Sequence, residues 1–165
     1  MIYHVINGVY RGGAERFLLA LVSELEELDH CIVSLGRSNK MQSEFNGISN
    51  HYIDCGFYKG KLEQISAGLG RLRSLLKSDK QPVVVGWMYH GALFASIIYF
   101  LSGCRPRLIW CLRRSTNPDG YLSRWSQFAL FCLQKLSWHL GVIIVCCGSK
   151  VFDSHVSLGF QRSKM

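Results

Sequence analysis

The sequence predicts a doubly wound α/β domain, a mostly parallel sheet with helices on both faces. Three observations predict it. Short apolar runs at 2–6, 30–35, 83–87, 107–112 and 141–147 alternate with segments of helical period. These runs are continuously apolar instead of alternating with polar residues, the pattern of strands buried on both faces. Polar or glycine-bearing turns follow the runs, and in such sheets the ligand crevice lies outside the carboxyl ends of the strands.

The first run, Ile2 to Ile6, is a strand, and Asn7-Gly8 opens a loop that reaches Arg11-Gly12-Gly13-Ala14-Glu15-Arg16. Two adjacent glycines allow a turn with positive φ and leave no Cβ over the free amides that open the next helix. Such amides favour an anionic or hydroxyl-rich group, although strand, double glycine and helix also occur as a plain connection. From Ala14 onward Phe17, Leu18, Leu21, Leu25 and Leu28 form one apolar stripe, so an amphipathic helix is expected through Leu28. Glu24, Glu26 and Glu27 lie near its C-terminal end, where the helix dipole disfavours them.

A second strand is expected at 30–35, a loop at 37–50, and short strand character at 51–53. Leu62, Ile65, Leu69, Leu72, Leu75 and Leu76 give a second helix to Ser78. After Pro82 come a strand to Trp87, a loop Met88-Tyr89-His90, and a helix from about Gly91 to Leu101. A further strand at 107–112 leads to the polar loop Arg113 to Gly120, then a long helix from Tyr121 to His139. The strand at 141–147 precedes a last short helix beginning at Ser149.

Residues 83–101 carry no Lys, Arg, Asp or Glu, close to the ~20 residues that span a bilayer. Pro82, the β-branched Val83-Val84-Val85, and then Gly86 and Gly91 break that stretch, so a buried strand and a buried helix explain it better. A chain of 165 residues makes one domain. Its net charge of +8, from 19 Lys and Arg against 11 Asp and Glu, suits anionic partners, including peripheral contact with an anionic membrane. The basic residues are scattered, so nucleic acid is not an expected partner. Seven cysteines without a CxxC pair, and no leader before the first strand, point to a reducing cytoplasm, with Cys146-Cys147 as buried filler.

The candidate site residues follow from the topology. His90, at a strand-to-helix turn, suits hydrogen bonding to a phosphate or hydroxyl, or proton transfer. Arg113 and Arg114 end a buried strand, and a guanidinium there suits phosphate or carboxylate. Paired carboxylates, metal-ligand spacing, a nucleophile elbow, the third glycine of a dinucleotide fingerprint and a P-loop lysine are all missing. No metal or cofactor is therefore expected.

Gly12-Gly13-Ala14-Glu15-Arg16, Val85-Gly86-Trp87-Met88-Tyr89-His90, Ile109-Trp110-Cys111-Leu112-Arg113, and Val145-Cys146-Cys147 with Ser149, His155, Gly159 and Phe160 form an ordered set across nearly the whole chain. That set resembles the N-terminal domain of a GT-B-fold glycosyltransferase of family four, a retaining group that builds polysaccharides and lipopolysaccharides. The resemblance implies a single Rossmann-like domain, the N-terminal, acceptor-side half of a GT-B fold. It implies a nucleotide-sugar donor as substrate and a glycan or lipid-linked acceptor, with His90 and Arg113 catalytic. Gly12, Gly13, Ala14, Glu15, Arg114 and Ser149 are the implied substrate-binding positions. Gly148 departs from the commoner Cys-Cys-Ser run. The donor-binding domain of such enzymes has no counterpart here, so the chain is expected to be a truncated half, inactive without a donor domain or partner chain. Cytoplasmic placement, peripheral on the membrane's cytoplasmic face, goes with this reading. The competing expectation is a non-catalytic module for an anionic glycan or lipid phosphate.

Overall fold

The computed structural model of the chain describes residues 1–36, 40–57, 60, 62–114 and 122–165. Six strands, β1 (Ile2–Ile6), β2 (His30–Ser34), β3 (His51–Asp54), β4 (Val83–Trp87), β5 (Arg107–Leu112) and β6 (Val142–Cys146), form one sheet. Their order is β3-β2-β1-β4-β5-β6 and every pairing is parallel. The helices are α1 (Gly13–Glu24), α2 (Gln42–Asn46), α3 (Leu62–Ser78), α4 (Met88–Ser102), α5 (Arg124–His139) and α6 (Ser149–Ser157), followed by a 3-10 turn at Arg162–Lys164. The expected doubly wound α/β architecture is the observed one. Strand order reverses between β1 and β4, and that reversal opens a crevice at their carboxyl ends.

Two buried clusters flank the sheet. One joins Tyr3, Val5, Val33, Val84, Trp110, Ala92, Ala95, Leu72 and Leu133 beneath α3, α4 and α5. The other joins Ile6, Ile32, Val85, Trp87, Leu18, Val22 and Phe45 beneath α1 and α2. Residues 83–101 divide into β4 and most of α4, as the punctuation predicts, and among the described residues no helix is long and apolar enough to cross a membrane.

Local corrections concern boundaries. α1 stops at Glu24, four residues short of the expected Leu28. The carboxylates of 24–27 oppose the negative helix end, and the chain has to turn there to enter β2 at His30. The expected loop at 37–50 contains α2, because Met41 and Phe45, one turn apart, are both buried in the cluster that includes Val9 and Leu18. The expected polar loop at 115–120 lies outside the described residues. Cys146 is half-buried and Cys147 exposed, contrary to the expected buried pair, because β6 is an edge strand whose outer face is open.

The turn from β4 into α4 is the sharpest correction. No three-residue loop separates them: α4 is entered at Met88, directly after Trp87. Met88 makes the turn alone with φ of 59°, a left-handed conformation that costs a residue with a Cβ roughly 1–2 kcal/mol. Packing offsets that strain. A Cβ on Gly86 would collide with the Ala92 Cα, and a Cβ on Gly91 would collide with the Val5 carbonyl oxygen. The first turn of α4 thus lies directly on the backbones of β1 and β4.

Gly91→Ala is expected to destabilise the fold by about 2–4 kcal/mol, because the neighbour it meets is backbone and cannot rotate away. Gly13→Ala, where a Cβ has open space, is expected to be neutral or slightly stabilising. Urea unfolding midpoints of the two variants check the contrast, and equal midpoints would contradict it.

Candidate functional site

The crevice at the β1/β4 reversal is a real cleft of about 140 Å³, lined by Ile6, Asn7, Tyr10, Glu15, Trp87, Met88, Tyr89, His90, Arg114, Leu122 and Ser126. β1 and its following loop supply one wall, the Met88 turn supplies the floor, and the end of β5 with the start of α5 supplies the opposite wall.

The glycine turn is arranged differently from expectation. Gly12 is the N-cap of α1 with φ of −101°, and Gly13 opens the helix, also without positive φ. The pair is not needed for a left-handed turn. Gly12 instead leaves room for Glu15: a Cβ there would collide with Glu15 Oε2. Glu15, only 4% exposed, folds back over the start of its own helix and accepts from its own backbone N–H. The positive helix end therefore already holds an anion, supplied by the chain itself. Burial raises the Glu15 pKa above the ordinary carboxylate value, with the backbone hydrogen bond opposing.

His90 stands in the first turn of α4. The Asn7 side-chain amide donates to His90 Nδ1 at 3.2 Å, which fixes Nδ1 as acceptor and, in the neutral ring, leaves the proton on Nε2. Tyr89 lies beside it, its phenol pushed up to about 12 by burial, so the hydroxyl stays protonated. That hydroxyl donates to the Arg114 carbonyl at 3.0 Å and sits 3.2 Å from His155 Nε2. His155 is fully buried and donates from Nδ1 to the Val151 carbonyl at 2.7 Å. Tyr89 thus ties the end of β5 to α6 and holds the Arg114 backbone against the cleft.

The two arginines diverge. Arg114 lines the cleft, whereas the Arg113 guanidinium lies 4.0 Å from the centre of the Phe17 ring on α1. Phe17 in turn packs at 6.1 Å against Trp87, so Arg113 borders the cleft through two aromatic rings. Gly12, Gly13 and Ala14 shape the start of α1 without lining the cleft, and exposed Ser149 opens α6 outside it. Among the described residues no group of three or more His, Cys, Asp or Glu side chains is placed to hold a metal ion.

Sequence reasoning missed Asn7, Tyr10, Tyr89 and Ser126. Asn7 and Tyr10 carry a signal, since both lie in the loop that follows β1. Ser126 carries none, being one serine inside an amphipathic helix.

Trp87 is held from below by a buried relay that the sequence did not reveal. Its indole N–H donates to His4 Nδ1 at 3.2 Å, His4 Nε2–H donates to His30 Nδ1 at 3.1 Å, and His30 Nε2–H donates to the Leu25 carbonyl at 2.9 Å. Each ring gives one proton and accepts one, so the chain closes with both imidazoles neutral. Its far end satisfies a carbonyl at the C-terminus of α1. Burial, helped by the adjacent His30, lowers the His4 pKa to about 3.

The fold has a solved counterpart. Anabaena Alr3699/HepE, whose crystal structure was determined in complex with UDP and glucose, superposes with a TM-score of 0.74 at 12% sequence identity. The match covers 99% of this chain and 42% of that protein, so the chain spans less than half its length. At that identity the likeness shows the fold. No protein-family model and no curated protein matches the sequence.

The relay has a pH signature. A group whose folded pKa lies below its unfolded value of 6.5 leaves the unfolded chain binding more protons, so stability is complete above 6.5 and declines as pH falls toward 3. The limiting slope is about 1.4 kcal/mol per pH unit. His155, lowered by burial, acts in the same direction. His4→Gln can still accept from Trp87 and donate to His30, and is expected to flatten this decline in urea midpoints taken from neutral to acid pH; an unchanged profile would exclude the relay as its source.

Proposed function

We propose that the chain is the acceptor-side half of a GT-B glycosyltransferase of the retaining type. It binds the hydroxyl-bearing end of a glycan or lipid-linked acceptor in polysaccharide or lipopolysaccharide synthesis. The supporting observation is the convergence of Glu15, His90 and Arg114 on a cleft at the strand-order reversal, in a fold shared with a protein solved with UDP and glucose. Carboxylate, amide and imidazole groups beside the ring of Tyr10 suit a sugar, which offers hydroxyls at its edges and C–H faces to aromatics.

The proposed chemistry gives these residues distinct tasks. In sugar transfer the bond between the anomeric carbon and the diphosphate oxygen breaks, its electron pair leaving with the diphosphate. The acceptor oxygen forms the new bond and gives up its proton. Arg114, with Arg113 behind it, opposes the charge that builds on the leaving group. His90, with its proton on Nε2, donates to a phosphate or hydroxyl oxygen. Glu15 is the hydroxyl-side partner: ionised, it accepts from the acceptor hydroxyl, and its raised pKa suits it to proton exchange.

This division revises the role of the double glycine. The Glu15 carboxylate already lies over the start of α1 on its own backbone N–H, and the Gly12 N–H donates to the Tyr10 carbonyl, so in this reading the phosphate end of a substrate belongs near Arg114 and the polyhydroxyl end near α1. In this reading the donor nucleotide is held mainly by a second Rossmann-like unit on the far side of the cleft, and the chain transfers no sugar without it.

Calorimetric titration with neutral oligosaccharides, their phosphorylated forms, and UDP-glucose tests the assignment. Glu15→Gln is expected to weaken neutral oligosaccharides by about tenfold, the worth of a charge-assisted hydrogen bond. Arg114→Gln is expected to spare neutral sugars and weaken phosphorylated ones. Because the Glu15 pKa is raised, neutral-sugar affinity should fall on acidification at higher pH than an ordinary carboxylate would dictate, and the Gln variant should lose that dependence. Oligosaccharide binding untouched by either substitution would remove the cleft from the reading.

A further inference from the structure

The helix α5 buries one face, with Ala129, Leu133 and Ser137 against the core, and leaves the other to solvent. The outer face is unusual in what it exposes. Trp125 is 75% exposed, Phe131 60%, Trp138 58% and Phe128 55%. At 100° per residue these side chains, with Arg124 and Lys135, cover one broad outward stripe. Trp125 and Phe128 touch edge to face at 6.4 Å, so the apolar surface is continuous at that end. The Lys135 ammonium lies 5.6 Å from the centre of the Phe131 ring, in the middle of the stripe. No Asp or Glu occurs anywhere in α5.

An exposed aromatic patch of this size marks an interaction surface. Its composition decides the partner. Protein interfaces deplete lysine at their centre, because an ammonium there would lose its water without a paired charge. A bilayer surface imposes no such loss: aromatic rings enter the boundary between headgroups and acyl chains while Arg and Lys reach out to the phosphates. Tryptophans near both ends of the helix, about 20 Å apart at 1.5 Å per residue, match the belt position that indole prefers. Since α5 carries part of the core on its other face, it lies on a membrane as a fixed part of the domain.

We infer that the outward face of α5, formed by Trp125, Phe128, Phe131 and Trp138 with Arg124 and Lys135, docks the protein on an anionic phospholipid bilayer. The inference is independent of the sugar-transfer reading. Ser126, which lines the cleft, lies on the inward side of α5, so docking leaves the cleft on the side of the helix away from the bilayer.

Flotation of the chain with vesicles of phosphatidylcholine alone, or of phosphatidylcholine with phosphatidylglycerol, tests it. The chain is expected to float with the anionic vesicles, with a blue shift of tryptophan emission, and to float less as salt is raised. Trp125→Ser with Phe131→Ser should reduce flotation by about tenfold or more. Arg124→Glu with Lys135→Glu, at two exposed positions, should abolish the preference for anionic vesicles. Circular dichroism of each variant verifies folding. Equal flotation of the wild type and either double variant overturns the proposal. So does an absence of vesicle binding with sedimentation showing self-association that the aromatic substitutions abolish.

Discussion

One contact sets the geometry of this domain: the first turn of α4 resting on bare backbone at Gly86 and Gly91. Parallel sheets usually hold their helices off by a layer of side chains, and here that layer is absent at the point where strand order reverses. The close approach is what allows a single residue, Met88, to turn the chain from strand to helix. It is also what brings Tyr89 and His90 up to the rim, where a loop of several residues would have let them swing. The strain in Met88 is carried by the rest of α4, whose apolar length packs along β4, β5 and β1. Site precision thus follows from two absent side chains.

Beneath that turn the structure uses polar groups with equal economy. The indole of Trp87, the imidazoles of His4 and His30 and the carbonyl of Leu25 form a line in which each donor has one acceptor. Buried polar groups cost stability unless fully paired, and a fully paired line instead makes one arrangement unique. It couples the floor of the cleft to the far end of α1, the helix whose near end carries Glu15. A cluster of two histidines inside a sheet looks like a metal site in outline, and the alternating protons here use every ring nitrogen for hydrogen bonding.

The sheet, its parallel sense and nearly every helix were legible in the sequence because apolar period and glycine punctuation report burial directly. Boundaries at α1, α2 and α4 were not, because they depend on partners distant in the chain. Phe45 is buried in the cluster that holds Val9 and Leu18, and the left-handed Met88 sits where Gly91 lets α4 lie against the Val5 backbone. The same holds at the cleft. His90 and Arg114 stood out by their position after strands, and Glu15 by its place in the glycine motif. That Glu15 folds onto its own helix, that Arg113 turns away to Phe17, and that Tyr89 grips the Arg114 carbonyl are tertiary facts with no local signature. Position along a strand tells which residues reach a rim, and only packing tells which way they face.

Glu15, at the start of α1, and Arg114, just past β5, line the same small cleft. Between them the site has a polarity of its own, negative toward α1 and positive toward β5. A molecule with a phosphate at one end and hydroxyls at the other has one favourable direction in such a field, and its reversal sets like charges against each other. On the proposed reading, the cleft would therefore discriminate the heading of a ligand before any contact specific to its identity is made, much as a compass needle settles without touching its case.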